Sequence, residues 1–235
     1  MNLFAVPQIG YSAAETLVVL THFNGECIPT KAEDIIKLPK DGWFPVGTVE
    51  FCEAVMRHQG IPEPEPMDYP ESLHKWMIPH KKALFSDVPQ GWSEKNNLGL
   101  HVKPVKTKFP VELWTPTTPV WIGQWKDFGP EYRVYVLRGE ILGISRYDQF
   151  EDELEETHKL DEQRVNDMVK TFEANGAPIG YGLDVGVLRE TKETVLVEVN
   201  DGWALGYYPW GLKQNKYLDL IQSRWEELLA ARLIK

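Results

Sequence analysis

The sequence predicts a mixed α+β fold that combines antiparallel hairpins with helices. Residues 131–145 and 180–200 alternate apolar and polar side chains on either side of short turns, which is typical of paired strands. Residues 215–233 instead repeat apolar side chains three and four positions apart, which predicts an amphipathic helix. With 235 residues, of which 43% are hydrophobic, the chain can bury a substantial core in one large domain or two small lobes.

The overall charge restricts the classes of partner that the chain can bind. Lys and Arg together number 25 and Asp and Glu number 35, which gives a net charge of −10 and argues against a general binder of nucleic-acid backbones. A local basic pocket for a nucleotide is compatible with this charge. No run approaches about 18 apolar residues, and residues 1–7 lack the pattern of a signal peptide. Cys27 and Cys52 form no metal-type cluster, so we expect reduced thiols and a cytoplasmic protein.

The first sixty residues predict a strand, a loop and a helix. The apolar run Thr16 to Thr21 predicts a strand, and residues 39–47, which are rich in proline and glycine, predict a loop. Thr48 has the character of a helix N-cap, and Gly60 ends the predicted helix.

A proline-rich segment and a polar segment mark the organisation of the middle of the chain. Residues 61–66 alternate proline with other residues and predict a stiff crossing segment, and a short helix is expected from Ser72 to Trp76. Residues 87–97 are polar and carry turn-forming residues. We therefore place a boundary there and predict an N-terminal part at 1–92 and a second part at 93–235.

Three lysines follow this boundary. In the predicted strand at 98–104, Leu100 and Val102 share one face, and Lys103 projects from the other. Lys106 and Lys108 come next, in a loop. A strand lysine followed by a lysine-bearing loop can place point charges on a triphosphate. A lysine-rich edge strand that resists aggregation explains the same pattern equally well.

An apolar strand at 119–125 leads into a second strand that carries charge. Glu131, Arg133 and Tyr135 share one face of that strand. A strand arginine with a carboxylate two residues away often forms a structural ion pair. The functional alternative is a guanidinium that faces phosphate and is held in place by Glu131.

The hairpin at 180–206 carries the most informative polar face. In its first strand Asp184 lies between Gly182 and Gly186, which leave room for a bulky group to approach the carboxylate. The opposite face of this strand is apolar and consists of Tyr181, Leu183, Val185 and Val187. In the second strand Glu198 and Asn200 project together, and the buried face is predicted to consist of Val195, Val197 and Val199.

These polar residues predict a site for a hard cation. If the strands pair, Asp184, Glu198 and Asn200 come together and offer only oxygen ligands, which suits Mg²⁺ that also binds water and a nucleotide phosphate. A hairpin with a polar, solvated face is the competing interpretation.

The remaining segments add one acidic run and two helices. Residues 151–156 predict a solvated loop, with a lid or a binding loop for a cationic acceptor as the alternative. A helix is expected from Asp161 or Glu162 to about Asn175. The final helix is predicted to bury five side chains, namely Leu218, Ile221, Trp225, Leu228 and Leu229. No histidine spacing indicates a zinc site, and no glycine-rich phosphate loop is present.

Taken in order, these motifs resemble the ATP-grasp superfamily. The order is a strand lysine, a loop lysine, a hinge strand, Glu-Tyr-Arg at 131–133, Asp184 and finally Glu-Val-Asn at 198–200. The chain is most similar to a clade of small bacterial and phage ATP-grasp proteins whose signature is an arginine and two lysines. Residues 45–51 and 69–73 also resemble the N-terminal part of that clade. The resemblance implies two lobes whose antiparallel sheets clamp ATP, behind a small N-terminal α/β part.

The resemblance also implies roles for individual residues. The ligands of Mg²⁺ would be Asp184, Glu198 and Asn200. The residues that contact ATP would be Lys103, Lys108 (or Lys106 in its place), Gln124, Trp125, Glu131 and Arg133, with the adenine at the hinge. The residues at the reacting groups would be Lys103, Arg133 and Arg146, the last at the substrate.

The implied activity is that of an Mg²⁺- and ATP-dependent ligase. It would join a small-molecule or peptide carboxylate to an amine through an acyl phosphate, forming an amide or peptide-like bond. A kinase-like transfer of phosphate to a small molecule or protein is one alternative, and a non-catalytic nucleotide-binding module is another. The net charge does not support a nucleic-acid substrate. The nine tryptophans would permit an aromatic-rich homodimer interface without fixing the oligomeric state.

Overall fold

The described residues fold into three sheets and four α-helices. The structure is a computed structural model that describes residues 3–11, 13–92, 99–105, 111–148 and 157–232. The α-helices are α1 (Ala14–His22), α2 (Val49–Gln59), α3 (Glu162–Ala174) and α4 (Gln214–Arg232). Short 3₁₀ turns cover Ala32–Lys37, Glu71–Trp76, Phe85–Asp87, Val111–Leu113 and Gly202–Ala204.

The N-terminal part contains a two-stranded parallel sheet. It pairs β1 (Phe4–Pro7) with β2 (Trp43–Val46). The prediction of a loop throughout 39–47 was therefore wrong, because proline fits an edge strand whose N–H groups need no partner on one side. The prediction of α2 was confirmed: Thr48 Oγ1 accepts the Phe51 N–H at 3.2 Å, and Gly60 ends the helix at φ +70°.

The predicted strand from Thr16 to Thr21 lies within α1 instead. Val18 and Val19 are buried in the N-terminal core, whereas Leu17 and Leu20 face outward. A short continuous apolar run does not distinguish a strand from a helix, and tertiary packing decided the outcome here.

A three-stranded antiparallel sheet follows, in the order β3-β5-β4. Its strands are β3 (His80–Leu84), β4 (Leu100–Pro104) and β5 (Pro119–Gln124). Strand β3 thus pairs across the boundary that we placed near residue 92. The division of the chain into 1–92 and 93–235 stays a prediction.

The third sheet has four antiparallel strands in the order β7-β6-β8-β9. They are β6 (Phe128–Leu137), β7 (Glu140–Arg146), β8 (Gly180–Leu188) and β9 (Thr194–Asp201). One face packs against α3, with Tyr181, Leu183, Val185 and Val187 all buried as predicted. At one end of the other face, Tyr135 joins a core formed with α4 and the N-terminal sheet. The remainder of that face carries the polar residues.

The valine face predicted for β9 needs correction. A bulge shifts the register between the pairs Asp184–Glu198 and Val185–Leu196, and Val197 is the additional residue. Leu196 and Val199 are consequently buried, whereas Val197 is half-buried. A bulge inserts one residue into one strand, and strict alternation therefore fails at that point.

The five side chains predicted to be buried in the final helix are all buried, and both cysteines are free thiols, as predicted. Within the described ranges, no helix combines the length and the apolar character that crossing a bilayer requires. Lys106, Lys108 and the acidic run at 151–156 lie outside the described residues, so their predicted roles stay predictions.

Candidate functional site

The hairpin of β8 and β9 brings together the three predicted cation ligands. Asp184 lies directly opposite Glu198 in the register, and Asn200 lies opposite Gly182. Directly opposed residues project from the same face of a sheet. The Asn200 amide Nδ2 donates to Asp184 Oδ2 at 3.0 Å. The predicted pairing is therefore observed, and these side chains form one polar cluster.

Arg133 meets this cluster from the neighbouring strand β6. Arg133 and Asp184 are register partners, and their side chains form two hydrogen bonds, Nε to Oδ1 and Nη2 to Oδ2, each 2.7 Å long. Both residues are less than a tenth exposed. Burial opposes the charge on Arg133, but the adjacent Asp184 carboxylate outweighs burial and raises the pKa of the guanidinium.

The space beside Asp184 is filled by the protein itself. A Cβ added at Gly182 would lie 2.8 Å from Leu205, and one added at Gly186 would lie 2.5 Å from the Phe128 ring. Both glycines thus admit neighbouring side chains, whereas the sequence suggested room for an external group. The carboxylate is approached by Arg133 instead.

Lys103 reaches the same cluster from the three-stranded sheet. Its Nζ lies 2.5 Å from Glu198 Oε2 and 2.8 Å from Asp68 Oδ1. Burial opposes the ammonium charge, but Glu198, the Tyr69 hydroxyl and Asp68 together outweigh it and raise the pKa of Lys103. Strand β4 is an edge strand, as the alternative of a lysine-rich edge strand supposed, but only 15% of the Lys103 side chain is exposed.

Two tyrosines flank the Arg133 guanidinium. The rings of Tyr147 and Tyr208 stack at 5.2 Å, and Arg133 Cζ lies 5.2 Å from the Tyr208 ring centre. Glu131 does not hold Arg133 as expected: it accepts a hydrogen bond from the Tyr147 hydroxyl at 2.9 Å, while Asp184 holds Arg133. Burial raises the pKa of Glu131, and the Tyr147 hydrogen bond opposes that effect.

A cavity of about 210 Å³ opens between the three-stranded and the four-stranded sheets. It is lined by the hinge residues Gln124 and Trp125, by Glu131, and by aromatic and apolar groups that include Tyr69, His101 and Leu196. Concave, largely apolar sites with a few polar groups are typical of ligand pockets. Its lining includes both hinge residues that the resemblance assigned to adenine.

Burial lowers the pKa of the two histidines of this cavity. The pKa of His80 is lowered to about 4, chiefly by burial and further by His101 and Lys103, although the Ile78 carbonyl opposes the shift. The pKa of His101 is lowered by burial and by Lys103. The His80 ring also stacks on Tyr69 at 4.2 Å. The side of the cavity formed by Tyr69 and the two histidines is therefore aromatic, whereas Lys126 and Glu131 line it elsewhere.

Arg146 lies apart from the cluster. Its register partner is Tyr132, one position away from the Arg133–Ser145 pair, so the pleat directs it to the opposite face of the sheet. Its guanidinium is held by Asp148, with Nε to Oδ1 at 2.7 Å and Nη2 to Oδ2 at 2.9 Å. The substrate role assigned to Arg146 stays a prediction that this placement does not support.

Sequence reasoning missed Asp68 and Tyr208. Asp68 lies two residues after the proline-rich segment, and its main-chain oxygen accepts the Val199 N–H at 2.9 Å. Tyr208 is fixed through its main chain, because its N–H donates to the Tyr135 hydroxyl at 2.9 Å. Neither residue belongs to an alternating or helical pattern, and only their long-range contacts identify them.

The chemistry of the residues fits a magnesium ion. Two carboxylates and one amide oxygen project from one face of adjacent strands, and hard oxygen donors suit Mg²⁺. Lys103 and Arg133 place positive charge beside these carboxylates. Among the described residues, no group of three or more His, Cys, Asp or Glu side chains forms a metal site. The third donor here would be Asn200.

Comparisons with known proteins bear directly on this arrangement. The model of an ATP-grasp domain family, family 3 of the clade named for one arginine and two lysines, matches residues 33–228. A search of curated protein sequences returned no match.

Two solved structures show the same fold. D-alanine–D-alanine ligase from Bacillus anthracis, complexed with ATP, aligns with a TM-score of 0.58 at 16% identity and covers 98% of each chain. N5-carboxyaminoimidazole synthetase from Staphylococcus aureus, complexed with ADP, aligns with a TM-score of 0.55 at 8% identity, over 95% of this chain and 78% of the other. At these identities the likeness concerns the fold.

Proposed function

The chain belongs to family 3 of the arginine-and-two-lysine clade of ATP-grasp domains, and from this premise we propose that it is an Mg²⁺- and ATP-dependent ligase. The ligase would join a small-molecule or peptide carboxylate to an amine through an acyl phosphate. One observation carries the proposal: Lys103 and Arg133 converge on Asp184, Glu198 and Asn200 at the edge of an aromatic cavity between two sheets. The ligases of similar fold support it by analogy.

The cavity and the charged cluster would bind different parts of the nucleotide. The adenine would occupy the aromatic cavity beside Gln124 and Trp125, where aromatic rings favour a flat, neutral base. The phosphates would extend toward Lys103, whose ammonium lies beyond Tyr69 at 4.6 Å from the ring centre. This orientation places the terminal phosphate near Arg133.

Catalysis would depend on positioning and on charge. Asp184, Glu198 and Asn200 would hold Mg²⁺, which when bound neutralises phosphate charge. Lys103 and Arg133 would bind oxygens of the transferring phosphate and stabilise the negative charge that develops on them. Tyr147 and Tyr208 lie beside Arg133, and the two hydrogen bonds to Asp184 orient its guanidinium. Fixed orientation of reacting groups is itself a large part of the rate gain.

Replacing Glu198 tests the proposal directly. Because Glu198 is partly exposed and lies at the edge of the cluster, Glu198→Ala should abolish ATP turnover while the protein stays folded. In wild type, Mg²⁺ with a non-hydrolysable ATP analogue should stabilise the fold by about 2.7 kcal/mol at a hundredfold excess over Kd, measured by thermal unfolding. The variant should lose most of that stabilisation.

Glu190→Ala is the matched control, because Glu190 is exposed in the turn of the same hairpin. It should retain both turnover and stabilisation. Undiminished turnover in Glu198→Ala would refute the metal assignment, and the lack of any stabilisation in wild type would refute nucleotide binding.

Product analysis separates ligation from phosphotransfer. An acyl phosphate reacts with hydroxylamine to give a hydroxamate, whereas a phosphorylated alcohol does not. With ATP and a panel of carboxylates, the ligase hypothesis predicts hydroxamate formation that depends on the acid. A stable phosphorylated product without an amine requirement would favour a kinase-like enzyme.

A further inference from the structure

Asp68 holds Lys103 from a segment outside the ATP-grasp motifs. Its Oδ1 lies 2.8 Å from Lys103 Nζ, and one fifth of its side chain is exposed. Glu198 binds the same ammonium from the other side. Two carboxylates thus share one lysine at the place proposed for nucleotide phosphates.

The main chain of Asp68 is fixed against β9. Its carbonyl accepts the N–H of Val199, the residue that follows Glu198, at 2.9 Å. Nine residues on, Met77 forms a parallel bridge with Leu196 on the same strand. The buried Tyr69 ring packs edge-to-face on Trp121 at 4.9 Å and stacks on His80. These contacts fix the main chain of Asp68 beside Lys103.

The two carboxylates that share Lys103 differ in what they can do when phosphates arrive. Glu198 is a proposed ligand of Mg²⁺, and that ion can compensate its charge. Asp68 has no second cation among its contacts in the described residues. A phosphate that approaches Lys103 must therefore displace the Asp68 carboxylate or bind beside its negative charge. Either event opposes binding, since like charges a few ångströms apart repel.

We propose that Asp68 is a positioning residue that holds Lys103 in the nucleotide-free site and competes with nucleotide phosphates for its ammonium. The carboxylate keeps the buried lysine paired, and it also lowers the affinity of the site for the phosphate end of the nucleotide. This inference rests on the proposed nucleotide binding. It predicts that removing a negative charge here tightens binding of the nucleotide.

The test measures binding of ADP and of adenosine by isothermal titration calorimetry in buffer that contains Mg²⁺. Asp68→Asn keeps the shape of the side chain and removes its charge, so its Kd for ADP should fall by about fivefold. The Kd for adenosine should stay unchanged, because adenosine carries no phosphate. Asp68→Glu restores the charge and should return the Kd for ADP to within about twofold of wild type.

Glu71→Gln is the matched control. Glu71 is exposed, lies three residues away, and its substitution removes the same charge. It should leave both affinities unchanged. Asp68→Ser provides a second neutral variant, with the same tightening expected for ADP.

Three results would overturn the inference. They are an unchanged or weaker affinity of Asp68→Asn for ADP, an equal change for adenosine and ADP, and a fivefold gain in Glu71→Gln. If wild type binds ADP and Asp68→Asn gains nothing, only the role of Asp68 is refuted. If wild type binds neither ligand, the proposed nucleotide binding is refuted as well.

Discussion

Arg133 and Asp184 form a buried ion pair whose two members depend on each other. Each charge is removed from water, and the two parallel hydrogen bonds of 2.7 Å compensate that loss. Glu198 differs, because 15% of its side chain is exposed and it shares Lys103 with Asp68. Two carboxylates that look equivalent in the sequence therefore have different consequences for stability.

This difference predicts losses of stability of different size for two alanine variants. Asp184→Ala leaves a buried guanidinium without its carboxylate and should lower the free energy of unfolding by about 3–5 kcal/mol. Glu198→Ala should lower it by about 1 kcal/mol or less, since Lys103 keeps Asp68. Urea unfolding at pH 7 measures both losses. Similar small losses in the two variants would contradict the structural role given to the Arg133 pair.

At the scale of elements, the segment after β9 packs closely on β7 and orients Tyr208. Ser145 Oγ donates to the Tyr208 carbonyl at 2.8 Å. A Cβ added at Gly211 would overlap the Ile144 carbonyl oxygen, because the two main chains are in direct contact there. Glycine is required at this position by a main-chain contact rather than by a turn. The contact helps to fix Tyr208 beside Arg133.

Gly211→Ala should therefore destabilise the protein by about 2 kcal/mol, because the backbone must shift to accommodate the methyl group. Gly129→Ala is the control, since its Cβ would lie 3.4 Å from the nearest main-chain oxygen, an ordinary contact. Thermal unfolding should show a clear drop in Tm for the first variant and a much smaller one for the second. Equal Tm values would show that the segment can move away from β7 at little cost.

Across the whole molecule, α4 connects the N-terminal part to the hairpin of β8 and β9. Trp225 Nε1 donates to Gln59 Oε1 on α2 at 3.0 Å. One residue earlier, Arg224 binds both oxygens of Asp201 at the end of β9, each at 2.7 Å. One helix therefore packs into the N-terminal core and contacts the strand that carries Glu198 and Asn200, so we expect these parts to unfold together.

Trp225→Phe should lower the free energy of unfolding by about 2 kcal/mol, because the buried Gln59 oxygen loses its donor. Trp210→Phe is the control, since 80% of Trp210 is exposed, and it should change stability very little. Unfolding followed by far-ultraviolet circular dichroism and by intrinsic fluorescence should give one shared midpoint in each variant. Two separate midpoints would show that α4 does not couple the two parts.

Several local elements could be predicted from the sequence because local interactions specify them. Thr48 and Gly60 bound α2 by chemistry that acts within a few residues, namely a side-chain cap and a positive φ. The apolar face of β8 and the buried side of α4 follow from periodicity alone. The strand predicted from the apolar run at 16–21 was wrong, because burial against the N-terminal core decides between helix and strand there.

In the candidate site, too, some features follow from local sequence and others only from tertiary contacts. The sequence alone determined the residues of the polar face, since Asp184 alternates with the apolar residues of β8, and Glu198 and Asn200 lie two positions apart on β9, both after the bulge. Only the tertiary structure decided their partners: Arg133 binds Asp184 rather than Glu131, and Asp68 shares Lys103 with Glu198. Periodicity acts between neighbours along the chain, whereas Asp68 and Lys103 are 35 residues apart and meet only because the sheets fold against each other.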